Sequence, residues 1–428
     1  MTFGRRSVVR AALAVGVVLL WWLNDTTGPY AVFWGSYNFR TLALNLGITW
    51  LSLCGSYVAL GGDERRLRWT RVLLLNAVCV ACVAAGEVPT VLFGHDYRDT
   101  FHTWREESWL ARATALNKPD EELLHIHWPH TSWEGSVRGN LAALGISDPP
   151  WHGVSVSYDR NGFRNDTDLE GVDVAVIGDS FVEGAIVRAG DTFSRQLAVL
   201  VGASTVNLGQ AAYGPQQELL VLERFARPLA PRVVIWCVFG GNDLLDVTLY
   251  EQARDSAARV HLPGTVSQRS LTRNALLRLS IHTTPDPGPS ATARAQRGTL
   301  RDEHVWFGRN TAPWSDHQWQ VLTDTLREAH SQCAPTVRFV VAYVPRKFTV
   351  YGDLVTDKGT ALQAWTRTTL PAELGAWCQE ADIRFCDLTP ALRKATLDGV
   401  QTYHPDDTHW NAEGHRIAAE AVAEFIGR

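Results

Sequence analysis

An α/β architecture, with a parallel sheet covered by helices on both faces and a membrane anchor ahead of it, follows from three features of the chain. Five short apolar runs alternate with segments of helical periodicity between residues 172 and 425, the order that a parallel sheet with crossover helices produces. The third run, VVIWCVF at Val233–Phe239, is apolar throughout, as expected of a strand buried on both faces. Residues 1–94 hold three further apolar stretches, Val8–Leu23, Thr41–Leu60 and Val72–Phe93.

Those stretches read as transmembrane helices. A span needs roughly 20 mainly apolar residues, which the second and third supply. The first is shorter and carries Arg10. The WWLNDTTGP that follows it offers no small-x-small cleavage site, so it reads as a retained helix. Arg5, Arg6 and Arg10 precede the first span, and Arg65, Arg66, Arg68 and Arg71 crowd the loop between the second and third. The loop between the first two holds only Arg40 beside Tyr30, Phe33, Trp34 and Tyr37. Basic residues mark the cytoplasmic side. The N-terminus is therefore expected in the cytoplasm and everything after Gly94 outside it. Glu87, near the outer end of the third span, reads as a snorkelling or helix-exit residue.

The chain has 428 residues and a formal net charge of −5, which leaves no basic footprint for nucleic acid. Of its 7 cysteines, Cys54, Cys79 and Cys82 lie in apolar stretches and Cys237 in a strand. Cys333, Cys378 and Cys386 remain, for one disulfide or for free buried thiols.

Residues 95–160 read as a juxtamembrane connector with short helices, one at 105–116. Its HIHWPH brings His125, His127 and His130 together, but no cysteine or carboxylate joins them at a metal-site spacing. No metal or other cofactor is called for. Residues 161–428 read as the α/β domain. Its first strand is Val172–Ile177. Asp191 then caps a helix that turns Phe193, Leu197 and Leu200 inward. The second strand, Ser204–Leu208, leads through Gly209–Gly214 to a helix opened by Pro215. After Val233–Phe239 comes an insertion, about residues 244–335, whose HTTPDPGPSATARAQ at 282–296 reads as mobile and whose last helix is capped by Ser315. Val337–Val344 and Ile383–Leu388 are the fourth and fifth strands. Helices are expected near Leu362–Glu380 and Ala412–Phe425.

Chemistry collects at the strand ends. Asp179 and Ser180 follow a glycine break in VAVIGDSFVEG, where α/β sheets open their ligand crevice. His409, just ahead of the last helix, can serve as base, with Asp406 or Asp407 to fix its tautomer. Asn242 and backbone N–H groups at Ser180 and in the Gly209–Gly214 loop can stabilise negative charge.

These residues resemble the SGNH (GDSL-type) hydrolase family. GDS at 178–180, NLGQAAYG at 207–214, GGND at 240–243 and DDTH at 406–409 match its blocks in order and spacing over roughly residues 160–426. The resemblance implies a flavodoxin-like three-layer α/β/α sandwich on a five-stranded parallel sheet. It makes Ser180 the nucleophile, His409 the base and Asp406 the orienting carboxylate, with an oxyanion hole from Ser180, the second block and Asn242. The second-block glycine is replaced by Ala212, leaving Ala212 or Gly214 as donor. Asp406 has the spacing usual in the family. Asp407 has that of related extracytoplasmic acyltransferases, with their DTHW-like pattern.

The expected function is a membrane-anchored serine esterase acting on ester-linked acyl groups, acetyl among them, of extracytoplasmic glycans or lipids. An O-acyltransferase of cell-envelope glycans using the same residues, and a non-catalytic binding or assembly component, are the alternatives. Lys347, Tyr351 and Glu183 are further residues placed near the cleft, and the insertion reads as a lid or a partner surface.

Overall fold

The computed structural model describes residues 15–24, 37, 39–95, 97, 100, 116–141, 146, 149–255, 269–281, 295–308 and 313–427. The chain divides into two compact units, Met1–Arg105 with Thr265–Gly288, and Glu106–Gly264 with Pro289–Arg428.

In the first unit, two helices are long and apolar enough to cross a membrane by length and composition, Thr41–Ala59 and Gly62–Phe93. The expectation of three spans is thus matched by two. The described part of the first stretch, 15–23, is helical, and residues 1–14 lie outside the described residues. Its Trp21 indole donates to Thr49 Oγ1 (3.0 Å) and its neighbour Asn24 donates to Asn45 Oδ1 (2.6 Å).

Glu87 does something other than snorkel. Its carboxylate accepts from Ser270 Oγ (2.8 Å), Leu271 N–H (3.0 Å) and Thr272 N–H (2.9 Å). It therefore caps the helix Leu271–Ile281, which the insertion sends into this unit. A carboxylate there satisfies orphan N–H groups and meets the positive end of the helix dipole. Leu276 of that helix packs against buried Leu42. This portion of the insertion is built into the N-terminal unit.

The second unit is built on a parallel sheet whose strands we label β1 to β5 in chain order. These are β1 Val174–Gly178, β2 Thr205–Gly209, β3 Val233–Phe239, β4 Arg338–Val344 and β5 Arg384–Asp387. Their spatial order is β2-β1-β3-β4-β5, the flavodoxin-like order, whose topological switch point opens a crevice between β1 and β3. The five strands fall on the five apolar runs. β1 is buried along its whole length, and its two faces feed two apolar cores. The Ser315 cap is present as a full capping box, with Gln318 N–H on Ser315 Oγ (3.2 Å). The helix expected over Leu362–Glu380 is broken into Thr360–Gln363 and Leu370–Glu380, the second beginning with Pro371 in its first turn.

Residues 116–158 belong to this same unit. In place of short helices they form two antiparallel pairs, Asn117–Asp120 with Leu124–His127 and Ser132–Arg138 with Trp151–Ser157. The helix expected at 105–116 and most of the 282–296 tract lie outside the described residues. All seven cysteines are free thiols. Burial pushes Cys378 and Cys386 up to about 12.

Candidate active site

Ser180 sits where β1 ends. The Asp179 carboxylate accepts from Phe181 N–H (2.9 Å) and caps the short helix Ser180–Glu183, turning the serine out of the strand line. Gly209, at the end of β2, faces that helix so closely that a Cβ there would stand 2.2 Å from the Glu183 nitrogen. The second-block loop thereby lies directly against the nucleophile turn.

Ser180 Oγ is 2.8 Å from His409 Nε2. On the far side of the ring, His409 Nδ1 is 2.6 Å from Asp407 Oδ1, which also accepts the His409 N–H at 2.7 Å. The carboxylate that reaches the imidazole is therefore Asp407, which corrects the preference for Asp406. Asp406 turns the other way, to His152 Nε2 (2.8 Å) and Gly139 N–H (2.8 Å). The reason is a loop remote in sequence. Asn140 donates its N–H to Asp407 Oδ2, and its side chain exchanges hydrogen bonds with Thr408. Only glycine fits at 139, where a Cβ would stand 2.2 Å from the Asp406 carbonyl oxygen. The hairpin 132–157 thus holds both aspartates and decides which one faces the histidine.

The charges follow this geometry. Burial works against the Asp407 carboxylate, yet His409 and the Asn140 N–H hold its pKa down at about 2. Burial also disfavours the His409 cation, but Asp407 outweighs it, and the pKa lies above the usual imidazole value. The Phe181 ring lies 4.9 Å from the imidazole, centroid to centroid, and shields that side.

Of the four expected oxyanion donors, Gly214 is otherwise engaged. Its N–H donates to Gln217 Oε1 (3.2 Å) as part of the cap on the helix Pro215–Val221. Ala212 is exposed and has φ 64°, a left-handed conformation that glycine adopts most readily. Asn242 follows β3, and its amide donates to Asp246. Burial raises Asp246 to about 8.

Behind the second block lies a network that the sequence did not announce. Glu183 is fully buried and accepts from Ala211 N–H (2.8 Å), Tyr158 OH (2.9 Å) and His127 Nε2 (3.1 Å). It braces the Ala211–Ala212 turn and does not stand on the cleft rim. His125 and His127 are absorbed in the same packing, and no metal-binding cluster occurs among the described residues.

Lys347, which the sequence puts at a strand end near the cleft, is buried. Its ammonium donates toward the carbonyls of Trp306 (2.7 Å), His404 (2.6 Å), Pro405 (3.0 Å) and Asp407 (3.1 Å). Burial pushes its pKa down to about 7, against the pull of Asp407 and Asp406. The cation pins the turn that carries the acid and the base. Lys347→Met turns four buried carbonyls toward an apolar chain, at about 1–3 kcal/mol for each one left unsatisfied. The carbonyls of His404 and Pro405 each keep a backbone N–H partner, so the expected outcome is a destabilisation of about 3 kcal/mol from the other two. With the turn loosened, kcat should fall about 100-fold. Thermal unfolding and steady-state kinetics on the full-length protein check both. Tyr351 is likewise buried, its hydroxyl accepting from Thr402 N–H and Tyr403 N–H.

Among solved structures the chain is similar to an alpha/beta hydrolase enzyme from the metagenome of Lake Arreo, Spain, at 14% identity and TM-score 0.33, covering 61% of this chain and 97% of that one. It is also similar to a catalytic mutant of Axe2, an acetylxylan esterase from Geobacillus stearothermophilus, at 14% identity and TM-score 0.32, covering 61% and 96%. A third is a GDSL-like lipase from Bacteroides thetaiotaomicron VPI-5482, at 13% identity and TM-score 0.30, covering 59% and 87%. No curated protein matches the chain. The model of the GDSL-like Lipase/Acylhydrolase family matches residues 176–417, more than half of the chain, from within β1 to within the last helix. The chain belongs to the GDSL-like lipase/acylhydrolase family and is a serine hydrolase.

Proposed function

We propose that Ser180 is the nucleophile, His409 its general base and Asp407 the carboxylate that orients the ring, in a membrane-anchored esterase acting through an acyl-enzyme. The observation that carries this is the unbroken relay from Ser180 Oγ to His409 Nε2 (2.8 Å) and from His409 Nδ1 to Asp407 (2.6 Å). Ser180 Oγ adds to the ester carbonyl carbon as its proton passes to His409 Nε2. The N–H groups of Ser180 and Ala212 and the amide of Asn242 hold the oxyanion. As the tetrahedral centre collapses, the C–O bond to the alcohol breaks and the alcohol leaves with the proton from His409. Water then repeats the sequence on the acyl-serine.

Two apolar helices support anchoring in a membrane, and the arginines around them favour a catalytic unit outside the cytoplasm. Acyl esters of envelope glycans or lipids are the substrates that such a position offers. The Asp407-x-His409 spacing supports a second reading, O-acyl transfer, in which a sugar hydroxyl replaces water in the last step. The full-length protein should hydrolyse a chromogenic acyl ester, and Ser180→Ala should not. Equal rates from the two proteins would refute the assignment. Product analysis with and without a glycan acceptor separates hydrolysis from transfer.

A further inference from the structure

The insertion after β3 also reaches the catalytic unit. Its hairpin, Gln296–Leu300 with Glu303–Phe307, lies on the turn that carries the acid and base. Trp306 N–H donates to the Pro405 carbonyl (2.8 Å), and Lys347 joins the Trp306 carbonyl to those of the turn. Phe307 at its end is buried. Between this hairpin and the strand ends lies a cavity of about 220 Å3, bordered by Asn242 on one side and Thr408, the neighbour of His409, on another.

Its remaining walls are mainly aromatic: Phe239, Phe307, Phe348 and Trp365. Phe348 stands edge-on to Phe307 (5.9 Å) and to Trp365 (5.3 Å). Most of the polar groups on the border are committed. The Lys347 ammonium is spent on four carbonyls, Thr408 Oγ1 accepts from the Asn140 amide, and Asn242 is an oxyanion donor in the reading above. Apart from Arg346, which also lines the space, what faces it is a surface that gains by shedding water against an apolar group.

We propose that this cavity receives the acyl chain of the substrate and that the insertion, through Phe307, sets its length. The proposal rests on the Ser180 reading, because it places the carbonyl between Asn242 and Thr408. The volume equals about seven water-sized groups at ~30 Å3 each, room for a chain of about four to eight carbons. An acetyl group would leave most of it wet. Each methylene that displaces this water raises kcat/KM about fourfold.

The test is a series of p-nitrophenyl esters, from acetate through butanoate and hexanoate to octanoate, with full-length protein in detergent. From acetate to hexanoate kcat/KM should rise at least about tenfold. Trp365→Ala, at a half-buried wall, should cut the hexanoate value about tenfold and leave acetate within about twofold. Phe307→Leu, a milder change in a buried wall, should move the optimum chain length while preserving Ser180-dependent turnover. Acetate as the best substrate, a carboxylate-ended chain preferred over its neutral equal beside Arg346, or equal losses for all esters in Trp365→Ala would overturn the acyl cavity alone. Absence of turnover for every ester would overturn the Ser180 reading with it.

Discussion

Ser180→Ala is expected to lower kcat for ester hydrolysis by roughly a million-fold. The hydroxyl is the atom that His409 addresses, and it lies at the carboxyl end of β1 beside the switch point of the sheet. No second hydroxyl is hydrogen-bonded to the imidazole among the described residues. The side chain is small and the turn is held by Asp179 and by Gly209, so the variant should fold as wild type. Substrate contacts survive, so KM should change little. Some rate above that of water should persist, because the oxyanion donors and the binding surface remain. A fall of tenfold or less would mean that another group does the chemistry.

Asp407→Asn is expected to cost about 10⁴ in kcat. The amide can present its NH2 to His409 Nδ1 and so stabilise the tautomer that cannot accept the serine proton. The pH profile carries the sign. His409 acts as base only when neutral, and Asp407 raises its pKa above 6.5. Wild-type kcat/KM should therefore rise with pH through a limb above 6.5. In Asp407→Asn the carboxylate charge is gone, and the limb should move to lower pH. Asp406→Asn is the control. It disturbs His152 and Gly139, which hold the turn without touching the imidazole, and should cost roughly tenfold through misplacement. If Asp406→Asn proved the more damaging, with the limb moved only there, the two aspartates would have to exchange roles.

How far the chain could be read in advance depends on the range of the contacts involved. The five strands were legible because an apolar run in a parallel sheet is a local signal. Ser180 and Asn242 were legible because each lies next to its strand end within a short block, and His409 because its block stands just ahead of the last helix. The choice between Asp406 and Asp407 was not. It is made by Gly139 and Asn140, 267 residues away from the aspartates whose carboxylates they bind, in a stretch with no recognisable motif. Gly214 could have been set aside earlier. A glycine before Pro215 with Gln217 three residues on is a cap signal, and its N–H is spent there. Lys347 stands at a strand end, where a lysine could touch substrate, but its partners are four carbonyls brought in by chain segments 41 to 60 residues away, which no local pattern announces. Glu87 meets Ser270, 183 residues downstream. No reading of a single apolar span could have supplied that partner.

The most direct test of the catalytic account is peptide mass mapping of the full-length protein after reaction with a fluorophosphonate. The relay predicts one phosphonyl adduct, on Ser180, formed rapidly in wild type and far more slowly in Asp407→Asn. An adduct on a different residue, or none on folded wild-type protein, would contradict it.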